Sequence, residues 1–128
     1  MNKEELNNLG GEIIDAALEV HKHLGPGLLE SVYVECLMKE FELRNIHAER
    51  EVNIPLLYKG LSLPRHFSID ILVEREIIIE AKSIAALLPV HSAKLLNHLK
   101  LTGKSLGYLI NFNVPKIKDG IKRMVNDF

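Results

Sequence analysis

The chain has no tryptophan, one cysteine and few aromatic residues of any kind among its 128 positions. A lone cysteine, Cys36, excludes an internal disulfide and a cysteine-based zinc site. Scarce aromatics argue against a surface that binds a single nucleic-acid strand by base stacking. No apolar stretch approaches the ~20 residues of a membrane span. The polar start Met1-Asn2-Lys3-Glu4-Glu5 lacks the apolar core of a secretion signal. A cytoplasmic protein with no membrane partner is therefore expected. No repeat, low-complexity tract or linker interrupts the chain, so residues 1–128 are expected to form one domain.

Acidic residues are unevenly spread. Residues 82–128 hold only Asp119 and Asp127 against eight Lys/Arg, whereas residues 1–81 hold fifteen Asp/Glu against eight. The small net charge of −1 thus hides an acidic part and a basic C-terminal third. The basic third suits a phosphate backbone, and solvated helix faces would give the same count.

Asn2 and Glu5 form a capping-box pattern, and Leu6, Leu9, Ile13, Ala17, Val20 and Leu24 follow at helical spacing. Gly10-Gly11 weakens the first turns of that helix, and Gly25-Pro26 ends it. A second helix is expected from about Leu29 to Arg44, with Leu29, Val32, Tyr33, Cys36, Leu37 and Phe41 inward. Period-2 alternation then runs over residues 46–59 and, past Gly60, over residues 61–73. Ile77 to Lys82 is a third strand, apolar enough to be buried on both faces. Pro89 opens a helix to about Thr102, with Val90, Ala93, Leu96 and Leu99 inward. Leu106 to Phe112 is a fourth strand, and Ile117 to Val125 is expected as a closing helix. This order predicts an α/β fold, a mixed four-stranded sheet flanked by helices.

The run Asp70-Ile71-Leu72-Val73-Glu74-Arg75-Glu76-Ile77-Ile78-Ile79-Glu80-Ala81-Lys82 carries the chemistry. Alternation puts Glu80 and Lys82 on one face of a strand, and a hairpin turn at residues 74–76 brings Asp70 beside them. Two carboxylates and the Ala81 carbonyl can hold a hard cation such as magnesium, and Lys82 can position a nucleophile. The alternative is a surface hairpin with a Glu80–Lys82 ion pair.

Four segments together resemble the GxxExxY proteins of the PD-(D/E)xK nuclease superfamily. They are Glu19-Val20-His21-Lys22-His23-Leu24-Gly25-Pro26-Gly27 with Leu28-Leu29-Glu30-Ser31-Val32-Tyr33, then Asp70…Glu80-Ala81-Lys82, then Leu99-Lys100-Leu101-Thr102-Gly103, then Leu109-Ile110-Asn111-Phe112-Asn113. The resemblance implies a restriction-endonuclease-like core and metal-dependent hydrolysis of phosphodiester bonds in nucleic acid, DNA being the expected form. Asp70 and Glu80 resemble the acidic metal pair, Lys82 the motif lysine, and Glu30 the carboxylate supplied by the first core helix, which the resemblance makes a third acidic metal ligand and catalytic residue; magnesium or manganese is the implied cofactor. Many relatives carry a glutamine, and four residues later a tyrosine, on the following helix. Here Lys94 and His98 stand there, with His91 on the same face. Lys94, His91, His98 and Tyr33 are the candidate substrate contacts, although a tyrosine of this kind also fits a core position with a satisfied hydroxyl. Lys94 beside a cation would oppose it. A nuclease-fold binding or scaffolding module without turnover is the alternative, and a homodimer could supply a grip that one small domain lacks.

Overall fold

The computed structural model describes residues 1–128. Helix α1 spans Lys3–Leu24 and α2 spans Glu30–Leu43. Strands β1 (Ala48–Tyr58), β2 (Leu61–Val73) and β3 (Ile77–Lys82) follow as an antiparallel meander. Helix α3 (Pro89–Thr102) then crosses over to β4 (Leu106–Asn111), which runs parallel to β3. A 3₁₀ turn (Ile117–Gly120) leads into β5 (Ile121–Val125), antiparallel to β4. The sheet order is β1-β2-β3-β4-β5.

Two cores sandwich this sheet. Leu6, Ile13 and Ala17 of α1 and Tyr33, Leu37 and Phe41 of α2 pack on Ile71, Ile79, Tyr108 and Ile110. On the other face Leu95 and Leu99 of α3 cover Ile69, Leu72, Ile78 and Leu109. Ile77, Ile78 and Ile79 are all fully buried because helices lie on both sides of β3.

Four expectations need correction. The sheet has five strands, not four, because residues 121–125 pair with β4 from Leu106↔Val125 to Ile110↔Ile121 rather than closing the chain as a helix. Without that strand β4 would leave an open edge. Gly120 makes the approach possible, since a Cβ there would collide with the Asn111 carbonyl oxygen. Helix α1 begins at Lys3 despite Gly10-Gly11, because Asn2 and Glu5 close both halves of a capping box and Gly10 lies directly under the Tyr108 hydroxyl.

In α2 the inward stripe is Tyr33, Val34, Leu37 and Phe41, while Leu29 sits before the helix and is 74% exposed. In α3 the stripe is Leu95, His98 and Leu99, leaving Val90 64% exposed and Ala93 outside. Both helices are turned relative to the simplest apolar line. For α3 the turn brings a histidine into the core.

Candidate functional site

The β2–β3 ladder runs Val73↔Ile77, Leu72↔Ile78, Ile71↔Ile79 and stops there. Asp70 and Glu80 are the next residues on the two strands, so they flank the point where the strands part. Asp70 Oδ2 accepts a hydrogen bond from the Ala81 N–H at 2.8 Å, in place of a ladder partner. In an antiparallel pair the N–H and C=O of one residue point the same way, so the Ala81 carbonyl also faces this gap. On β1, Glu51 stands opposite Asp70 with φ 53, a left-handed bend unusual for a glutamate.

Glu80 is 3% exposed, and its Oε1 accepts from Nδ1 of His98 on α3 at 3.0 Å. Since a carboxylate only accepts, Nδ1 carries the proton. The His98 ring, itself 4% exposed, packs against Phe67 of β2 with centroids 5.3 Å apart. Alternation along β3 sends Lys82, half-buried, to the face that holds Glu80. Glu30, the first residue of α2, gains from the helix dipole. It lines a cavity of about 140 Å³ with Ser31, Val34, Arg50, Glu51 and Asp70.

Electrostatically the site is a cluster of carboxylates. Burial pushes the Asp70 carboxyl up to about 6, the charges of Glu80 and Glu30 push the same way, and the Ala81 N–H pulls against them. Arg50 pairs with Glu51 at 3.8 Å, and the partner of Glu80 is the imidazole of His98. Glu30, Asp70 and Glu80 themselves have no lysine or arginine partner, and oxygen donors so held suit a hard divalent cation. No three acidic, histidine or cysteine side chains close on one point. A cation here would therefore draw on two carboxylates, the Ala81 carbonyl and water, the sparse protein ligation that magnesium accepts.

The other candidates are placed differently. Tyr33 is no substrate contact: it is fully buried and stacked on Phe112, with centroids 4.4 Å apart. Its hydroxyl donates to the Gly25 carbonyl at 2.6 Å and accepts from the Leu28 N–H at 3.2 Å, so it fastens the turn ahead of Glu30. His91 is bound to its own helix, Nδ1 accepting from the Leu88 N–H at 2.8 Å. His98 is a buried partner of Glu80 rather than a surface group. Lys94 is exposed and lines a groove on the far side of His98, away from the cavity beside Asp70.

Asn111 and Asn113, part of the segment that carries the family resemblance, together with Ser83 hold the end of β3. Asn111 accepts from the Ile84 N–H at 3.1 Å and donates to the Ile84 carbonyl at 3.0 Å. Asn113 reaches the same carbonyl at 3.2 Å, and Ser83 Oγ donates to the Leu28 carbonyl at 2.6 Å. The segment after Lys82 is thus tied to β4 and to the turn before α2. In the sequence this role shows as a polar pair, Asn111 and Asn113, at the end of an apolar strand.

A family model described as the PD-(D/E)XK nuclease superfamily matches residues 7–124. No curated protein and no solved structure matches the chain.

Proposed function

The chain belongs to the PD-(D/E)XK nuclease superfamily, and on that premise we propose that it hydrolyses phosphodiester bonds in DNA with magnesium or manganese. The observation that carries this reading is the carboxylate cluster where β2 and β3 part, with the Asp70 carboxyl pushed up to about 6. Asp70, Glu80 and the Ala81 carbonyl hold the cation, and Glu30 adds negative charge from the start of α2. Asp70 keeps one oxygen on the Ala81 N–H, and Glu80 keeps one on His98, so each has a second oxygen to offer. A divalent ion there supplies Lewis acidity and makes hydroxide available at neutral pH. Lys82, on the Glu80 face, steadies the attacking water and offsets charge on the scissile phosphate.

Within the superfamily we assign the chain to the GxxExxY group, on the segment Gly27-Leu28-Leu29-Glu30-Ser31-Val32-Tyr33. No helix is long and apolar enough to cross a membrane. The single cysteine is consistent with the cytoplasm as its compartment. A homodimer would present two sites to the two strands of a duplex.

A second reading, a binding or scaffolding module without turnover, is favoured by one observation: no three ligand side chains converge. Incubating labelled linear, circular and single-stranded substrates with magnesium or manganese, beside the Asp70→Ala protein, tests both. Cleavage by the wild type alone supports the nuclease. Silence from both proteins, with salt-dependent DNA binding retained, supports the module.

A further inference from the structure

The β1–β2 hairpin outruns the sheet. Residues 57–66 are all exposed, and the tip carries Leu57 at 55%, Tyr58 at 60% and Leu61 at 66% exposure. From Phe67, where the hairpin leaves the body, six residues at ~3.3 Å each carry it roughly 20 Å outward. A free two-stranded ribbon of this kind gains little stability from itself. Its register also shifts between Pro55 and Leu57, which sharpens its twist.

Charge selects the occupant. Residues 52–69, the distal hairpin, and residues 81–118, the stretch containing α3, hold no aspartate or glutamate at all. They carry half of the Lys/Arg total, including Lys59 and Arg65 on the arm and Lys94 and Lys100 on α3. Between arm and helix lies a groove of about 520 Å³, lined by Phe67, Val90, Ala93, Lys94 and Leu101, with His98 as its inner wall. Two acid-free, cationic surfaces repel a second copy of each other and attract a polyanion.

We propose that this arm and the outer face of α3 form a clamp for a nucleic-acid duplex, laying it across the groove whose inner wall is His98, the buried partner of Glu80. The proposal rests on the nuclease reading and deepens it by naming the binding surface and a double-stranded partner. A two-stranded ribbon fits the ~12 Å major groove. Lys59, Arg65 and Lys94 contact phosphates, and Leu57, Leu61 and Pro64 meet sugars and the thymine methyls that the major groove exposes.

The test is fluorescence anisotropy with a labelled 20-base-pair duplex in EDTA, which separates binding from cleavage. Lys59→Glu with Arg65→Glu should weaken binding at least tenfold and flatten the slope of log K against log salt by about 2. Lys22→Glu with Lys39→Glu, the same charge change on α1 and α2, should leave the affinity alone. Melting temperatures check that each variant is folded. Equal affinities for the wild type and the arm variant overturn the clamp, as does the absence of duplex binding by the wild type. An arm variant that only dissociates a dimer, with duplex affinity kept, overturns it in favour of a protein partner. Manganese-dependent hydrolysis of bis(p-nitrophenyl) phosphate by the wild type reports on the nuclease reading separately, since so small a diester needs no clamp.

Discussion

Replacing Asp70 by asparagine should stabilise the metal-free protein. The folded chain holds the Asp70 carboxyl at about 6 against an ordinary value of 3.8, through burial first and the charges of Glu80 and Glu30 after it. A carboxyl that binds its proton more tightly when folded contributes stability below its unfolded pKa. That stability is lost as pH rises through the folded value. Ionised Asp70 therefore weighs against the fold at neutral pH. The full shift corresponds to roughly 3 kcal/mol, which partial exposure reduces to about 2 kcal/mol. Asparagine keeps an oxygen for the Ala81 N–H, removes the charge and can donate to a neighbouring carboxylate. Thermal unfolding in EDTA at pH 7.5 should show Asp70→Asn melting about 5–10 °C above the wild type. At pH 4.5 the gap should fall by more than half. Adding manganese should close it, because a bound cation at a hundred times its Kd stabilises by about 2.7 kcal/mol and the variant has lost a ligand. A variant that melts lower at pH 7.5, or a gap independent of pH, would refute the reasoning.

Further predictions concern the surroundings of this cluster. His98→Leu leaves the buried Glu80 carboxylate without its donor, which should cost about 2–4 kcal/mol in unfolding and weaken manganese binding 10–100-fold by electron paramagnetic resonance titration, with His98→Gln recovering part of both. Tyr33→Phe keeps the stack on Phe112 but loses the hydroxyl that joins Gly25 to Leu28, so urea unfolding should report a loss of about 1–2 kcal/mol. Gly10→Ala drives a methyl into the Tyr108 hydroxyl and should destabilise by about 1–3 kcal/mol, although alanine is the better helix former. Lys82→Ala should lower metal-dependent cleavage at least a hundredfold while duplex binding in EDTA persists.

Much of this architecture could be read from local chemistry. The capping box at Asn2 and Glu5, the Pro89 start and Gly103 end of α3, and the isoleucine run of β3 are signals contained within a few residues. The strand β5 was not legible in this way. Ile117, Ile121 and Val125 fall at helical spacing, and only the empty edge of β4 draws that segment into the sheet. Asp70 and Glu80 were nominated by alternation and by a turn of three residues. Their confrontation across a closing ladder depends on where β2 and β3 separate, which no short pattern encodes. His98 was harder still. A histidine among His91, Lys94 and Lys100 looks like part of a polar face, until the rotation of α3 sets it against Glu80 and Phe67. The cavity residues Arg50 and Glu51 follow from the pairing of β1 with β2, a long-range register rather than a motif.

Under the proposed function, Asp70 and Glu80 are gathered where β2 and β3 part to hold one divalent cation for phosphodiester hydrolysis. Titrating metal-stripped protein with manganese and following the free ion by electron paramagnetic resonance tests it most directly. The wild type should bind one ion per chain and Asp70→Asn should lose it, with cleavage of a labelled duplex disappearing in step. Equal manganese binding by the two proteins, or cleavage that survives the substitution, would contradict it.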